Sequence, residues 1–163
     1  MRSIQRIKEI PVICDVIFIT LILSAYFLSF YFRWPFWEDQ AILHYMAWGL
    51  SHGMIPYVDL INMNFPGIII IHFIARTISG STPFGLRLLD IFFIWILWMS
   101  TSFILASWKV DWPIRLIAFG SYIICYFNVN FTITAQRESF ALPLVVLGMI
   151  PWLVFKTQKK SFY

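Results

Sequence analysis

The sequence is poor in charge. Only 12% of its 163 residues are Asp, Glu, Lys or Arg, against about 25% in an ordinary soluble domain. Hydrophobic residues make up 60% of the chain and aromatic residues 20%, and the mean hydropathy is +0.78. Such a composition excludes a soluble globular protein and a disordered one, because too few polar groups are present to keep the chain solvated. Cysteine is nearly missing as well. Cys14 and Cys125 both lie in apolar runs, which excludes a disulfide scaffold. There is no Walker loop, no G-x-G-x-x-G fingerprint and no C-x-x-C pair, so a soluble-nucleotide site is not expected. Internal repeats, low-complexity tracts and flexible linkers are absent too. The formal net charge is +4, but the basic residues sit at the ends of apolar segments. That placement points to a membrane and away from nucleic acid.

What the chain does contain is a series of apolar segments. About 20 mostly apolar residues are needed to cross the hydrocarbon core of a bilayer as a helix. The stretch 12–32 meets this, with Asp15 near its start and Arg2, Arg6 and Lys8 as a basic flank. It is too long for the apolar region of a cleaved signal peptide, and no A-x-A site follows. Pro66–Ser79 is a shorter second candidate. Pro66 suits a helix start, and Gly80 with Ser81-Thr82-Pro83 marks the end. The third span, 84–108, is the longest. Arg87 and Asp90 near its start are three residues apart and can pair, and Arg87 can snorkel to the headgroups. The fourth segment, 113–127, is short. The last, 139–155, runs into Lys156, Lys159 and Lys160.

Counting Lys and Arg orients these segments. With a cytosolic N-terminus and five crossings, six basic residues fall on each side. If 113–127 dips in without crossing, the count becomes eight inside against four outside. The positive-inside rule favours the second path. The expected fold is therefore all-α: one polytopic membrane unit of four to five transmembrane helices, multi-pass in a plasma (inner) membrane.

The longest polar stretch, 33–65, follows the first span. It holds Glu38, Asp39, His44, His52 and Asp59. Asp39 can cap a helix that runs to Ser51, with Gly53 ending it. Leu43, Met46, Ala47 and Leu50 would form its apolar side and Gln40, His44 and Ser51 its polar side, so it is expected to lie in the membrane interface. Glu38 and Asp39 then stand where the first span leaves the bilayer. A partly desolvated carboxylate there gains strength as a base. His44 and His52 are eight apart with no third ligand at metal spacing, so no metal site is assigned, although a divalent ion stays open. His72 is expected to be a hydrogen-bonded packing residue.

The run W-E-D-Q-A, then A-W-G-L-S-H-G-M-I-P-Y-V-D, then N-F-P-G and an apolar segment resembles the start of GT-C-superfamily glycosyltransferases, such as protein O-mannosyltransferases and bacterial aminoarabinose transferases. Gly53, Pro56, Tyr57 and Asp59 match the G-x-x-P-Y-x-D turn of that pattern. Pro66 matches the Pro of the segment that follows, and Gly80 with Phe84, Arg87 and Leu88 matches the entry to the next. The resemblance covers roughly residues 12–108, with an echo at Arg137-Glu138. It implies transfer of a sugar from a polyprenyl-phosphate donor to an acceptor outside the membrane. Asp39 takes the place of the catalytic base, with Glu38 beside it. Glu138, 99 residues after Asp39, stands where the family often carries a second acidic residue. Arg33 and Arg137 are the cations expected to meet the leaving phosphate, and His44, Tyr57 and Asp59 complete the expected binding set. Family members are several times longer, so further spans on another chain are expected partners for a full site. The alternative is a non-catalytic multi-span subunit or scaffold.

Overall fold

A computed structural model describes residues 30–61, 63–128 and 132–159, together with Asp15, Ile17, Phe18, Leu21, Ile22 and Ala25; side chains are described as far as Leu153. Most of the expected span 12–32 lies outside the described residues. Among the described residues there are five helices and no strand: α1 (Glu38–Ser51), α2 (Pro66–Ser79), α3 (Phe84–Ser107), α4 (Trp112–Asn128) and α5 (Arg137–Lys159). A single 3-10 turn, Tyr31–Arg33, precedes them.

Local chemistry explains most of the boundaries. Pro66 opens α2, and Gly80 ends it with φ 64°. Gly53 follows α1 with φ 81°, a left-handed value that suits a residue without a Cβ. The start of α1 differs from the expectation. Trp37 is the cap residue, and the Gln40 side chain accepts its N–H at 3.2 Å. Asp39 thus sits inside the first turn, and its carboxylate does no capping.

Only α3 is by itself long and apolar enough to cross a membrane; α2 is apolar but shorter. At 1.5 Å per residue, α3 is about 36 Å long and α2 about 21 Å.

The contacts define two ends of the bundle. At one end the outer turn of the first segment, the start of α3, the end of α4 and the start of α5 meet: Tyr31 and Tyr126 both donate to Asp90, and Tyr126 also donates to Ser139 at 2.9 Å. At the other end Arg115, near the start of α4, donates to Ser102 of α3 at 2.9 Å and pairs with Asp15 at 3.6 Å. So α3 and α5 run one way, and α4 runs the other.

Helix α2 stays at the first end. Its start borders α5, and its last turn locks onto the start of α3, where Gly85 N–H donates to Ser79 Oγ at 2.8 Å. The close fit there needs glycine, since a Cβ on Gly85 would collide with the Ala75 carbonyl oxygen.

Two clusters fill the interior. One joins Tyr31, Ile94, Trp98, Phe119 and Phe127 along α3 and α4. The other joins Leu43 and Met46 of α1 with Ile68, Ile69 and Ala75 of α2, Leu86 of α3 and Phe140 of α5. The apolar side of α1 is therefore covered by protein. Leu43, Met46 and Ala47 are buried against α2, Leu50 is exposed, and Gln40 and His44 are buried instead of facing water. The reason is that α2 and α3 supply hydrogen-bond acceptors for those two polar groups, so burying them leaves few orphaned atoms.

Arg87 and Asp90 share a face but do not pair. Arg87 is fully buried and reaches outward to the Pro35 carbonyl at 2.8 Å, Gln40 Oε1 at 3.1 Å and Thr134 Oγ1 at 3.3 Å. It does not snorkel, because three oxygens already satisfy it. Its guanidinium also lies over the Tyr31 ring, 5.1 Å from the centroid.

Candidate functional site

The first turn of α1 and the first turn of α5 come together. The link between them is Gln40, whose Nε2 donates to the Thr134 carbonyl at 2.6 Å, while Arg87 grips both Gln40 and Thr134. One residue before Gln40 is Asp39. Three residues beyond Thr134 is Arg137.

Between these turns lies a cavity of about 480 Å³. Asp39, Arg137 and Glu138 line it, with Trp37, Tyr122, Tyr126, Thr132, Gln136 and Ser139. Asp39, Arg137 and Glu138 are exposed to solvent there. Arg137 Nε donates to Glu138 Oε1 at 2.7 Å, and Arg137 Nη1 donates to Asn64 Oδ1 at 2.5 Å. The hydrogen bond from Arg137 holds the Glu138 carboxyl below its ordinary pKa, and the same bond raises that of Arg137; Asp39 raises it a little further by its charge.

A second space adjoins the first. It is an apolar groove of about 440 Å³ between α2 and α5, lined by Phe65, Gly67, Ile68, Ile71, Phe140, Ala141 and Leu144. Arg137 and Glu138 stand in its wall as well. The two residues are thus common to a polar cavity and an apolar groove.

The other expected site residues have different surroundings. Glu38 is exposed in the first turn of α1, about 100° round from Asp39, and lines neither space. Arg33 is exposed at the end of the 3-10 turn and also lines neither. His44 holds the fold together: its Nε2 donates to the Gly80 carbonyl at 2.9 Å, and its ring lies against Phe36 and His72, with centroids 4.5 and 5.8 Å away. Because a carbonyl only accepts, Nε2 carries the proton and Nδ1 is bare and buried. Burial holds this imidazole below its ordinary pKa. His72 is buried with neither ring nitrogen bonded, contrary to the expected hydrogen-bonded packing role. Tyr57 and Asp59 shape the loop. The Asp59 carboxylate accepts the Ile55 N–H at 2.7 Å, and the Tyr57 hydroxyl donates to the Asn64 carbonyl. They act at one remove, by placing the Asn64 that Arg137 grips.

The cavity-lining side chains Tyr122, Tyr126, Thr132, Gln136 and Ser139 are not visible as site residues in the sequence. Tyr122 and Tyr126 are spaced i, i+4 on α4, and their rings stack at 5.8 Å. Among the described residues no group of three or more His, Cys, Asp or Glu side chains gathers to hold a metal ion.

No protein-family model, curated protein or solved structure matches this chain.

Proposed function

We propose that this chain is a membrane glycosyltransferase, or the N-terminal part of one, that moves a sugar from a polyprenyl-phosphate donor to an acceptor hydroxyl at the outer face of the bilayer. One observation carries the reading: Arg137 and Glu138 are shared by a polar cavity that holds Asp39 and an apolar groove beside it. A donor with a greasy carrier and a polar head needs two such spaces side by side.

The membrane path that fits the packing has four crossings. The first segment goes out, α3 comes in, α4 goes out and α5 comes in. Large apolar side chains face outward along α3, α4 and α5, among them Phe92, Trp95, Ile117, Ile124, Val145 and Leu147. On this path α2 lies at the outer side, because both of its ends are tied to the outer ends of other helices. The earlier alternative, in which Pro66–Ser79 crosses and 113–127 does not, has the same charge bias. Here the inside holds Arg2, Arg6, Lys8, Lys109, Arg115, Lys156, Lys159 and Lys160, and the outside holds Arg33, Arg76, Arg87 and Arg137: again eight against four. Helix packing, not charge, separates the two.

In the reaction the acceptor oxygen forms a bond to the anomeric carbon as the bond from that carbon to the phosphate oxygen breaks. The acceptor proton passes to the Asp39 carboxylate, which is worth about 10²–10⁴-fold in rate. The polyprenyl phosphate leaves with the electron pair, and the Arg137 guanidinium stabilises its charge. Attack opposite the leaving group inverts the anomeric configuration. Glu138 keeps Arg137 turned toward the junction.

The test is a transfer assay in membranes with polyprenyl-phosphate sugars, comparing the wild type with Asp39→Asn. Loss of at least a hundredfold in product, with unchanged expression and fold, is the expected result. Equal product from both proteins removes Asp39 as the base. No product from either favours the non-catalytic subunit.

A further inference from the structure

The loop between α1 and α2 has a surface unlike a water-facing loop. Its side chains point outward and are apolar: Ile55, Val58, Ile61, Met63 and Phe65 are exposed, with Ile61 at 90%, Met63 at 100% and Phe65 at 83%. Exposed loops are normally built from small and polar residues. The single charge from Ile55 to Phe65 is Asp59, and it is turned back onto the Ile55 N–H.

The loop's backbone is also largely satisfied from within. Tyr57 N–H donates to the Leu60 carbonyl at 2.9 Å, while Val58 and Asp59 N–H both donate to the Ile55 carbonyl, at 3.2 and 2.9 Å. Tyr57, at φ 70°, closes the loop by its hydroxyl bond to Asn64. Leu60 alone turns inward, against Gly49 of α1, where a Cβ would leave it no room. A segment that meets its own hydrogen bonds can leave water with little penalty.

The apolar surface does not stop at Phe65. It continues along α2 through the exposed Ile70, Ile74 and Ile78, spaced i, i+4, i+8 on one stripe. Arg137 flanks the loop through Asn64 and supplies a cation at headgroup height.

We infer that this loop is a lipid-inserting wedge: Ile61, Met63 and Phe65 enter the outer leaflet at the boundary between headgroups and acyl chains, at the mouth of the groove between α2 and α5. The occupant is bilayer lipid, not a second protein, because the surface is continuous with the stripe of α2 and carries no charge of its own for a polar partner to meet. The inference rests on the membrane path proposed above and is independent of the transfer chemistry.

The experiment uses the full chain in phosphatidylcholine nanodiscs, with Cys14 and Cys125 replaced by alanine. A single cysteine at Met63→Cys, and separately at Ile61→Cys, carries a bimane label; both sites make no packing contact to lose. Lipids brominated near the headgroup end of their chains are expected to quench both labels, and aqueous iodide to quench them several-fold less than it quenches the free label. Strong iodide quenching overturns the inference. So does an absence of quenching by either agent, which would mean that protein covers the loop. A label at Ile117→Cys, on the exposed face of α4, reports on the path itself. If brominated lipid leaves that site bright, the membrane path fails and the wedge with it.

Discussion

Arg87, Asp90, Asp15 and Arg115 are all buried, yet each meets a different fate. Arg87 is neutralised by oxygens that carry no full charge, and Asp90 by two tyrosine hydroxyls. Asp15 and Arg115 have each other, at 3.6 Å. Removing one member of a buried pair leaves an uncompensated charge, at a cost of about 3–5 kcal/mol. Arg115→Gln is therefore expected to lower the unfolding midpoint in detergent sharply. The double variant Asp15→Asn with Arg115→Gln should recover part of that loss, since neither charge is then stranded. His44 supplies a pH prediction. Its folded pKa lies below the ordinary 6.5, so the unfolded state binds the extra proton first. The stability it contributes is complete above about 6.5 and is lost as pH falls below that value. His44→Gln retains a donor for the Gly80 carbonyl but does not titrate. A thermal melt series from pH 7.5 to 5 should show a smaller acid-side drop for the variant, and equal drops would reject the assignment. None of these partnerships is readable from spacing alone. Arg87 and Asp90 look like an i, i+3 pair in the sequence, and they turn away from each other because better partners arrive from 34–59 residues away in the chain or more.

At the scale of elements, the helices were more legible than their neighbours. The start of α2 at Pro66 and the turn at Gly53 follow from proline's fixed φ and glycine's freedom at positive φ, both local properties. The cap of α1 was misread by two residues because Gln40 reaches back to Trp37, a choice that local propensity leaves open to either. The face of α1 was also misread, since an apolar stripe tells that it is covered but not by what. The joint between α2 and α3 is the tightest contact between helices. Gly85→Ala should push them apart and weaken the bond to Ser79. A destabilisation of about 1–3 kcal/mol is expected from overpacking at such a site, measured as a shift in the detergent or thermal unfolding midpoint. Gly67→Ala, where a Cβ meets open space, is the matched control and should change little.

For the whole molecule the open quantity is which helices cross. In sealed, right-side-out vesicles of a chain lacking Cys14 and Cys125, Ser81→Cys is expected to react with an impermeant maleimide from outside. Lys109→Cys is expected to react only after permeabilisation. The path in which Pro66–Ser79 crosses makes the opposite prediction for both sites, so one labelling experiment decides between them.

Composition, hydropathy and a few Pro and Gly positions sufficed to predict an apolar, all-helical chain with breaks near the observed ones, because helix formation and its termination depend on residues within a turn or two of each other. The sequence also singled out Asp39, Arg137 and Glu138. That they line one cavity, that Gln40 and Arg87 hold that cavity's walls, and that α2 stays at one end of the bundle came only from the tertiary structure. Those relations join residues 36–99 positions apart, and the packing of side chains from separate helices, not any local preference, determines which of them meet.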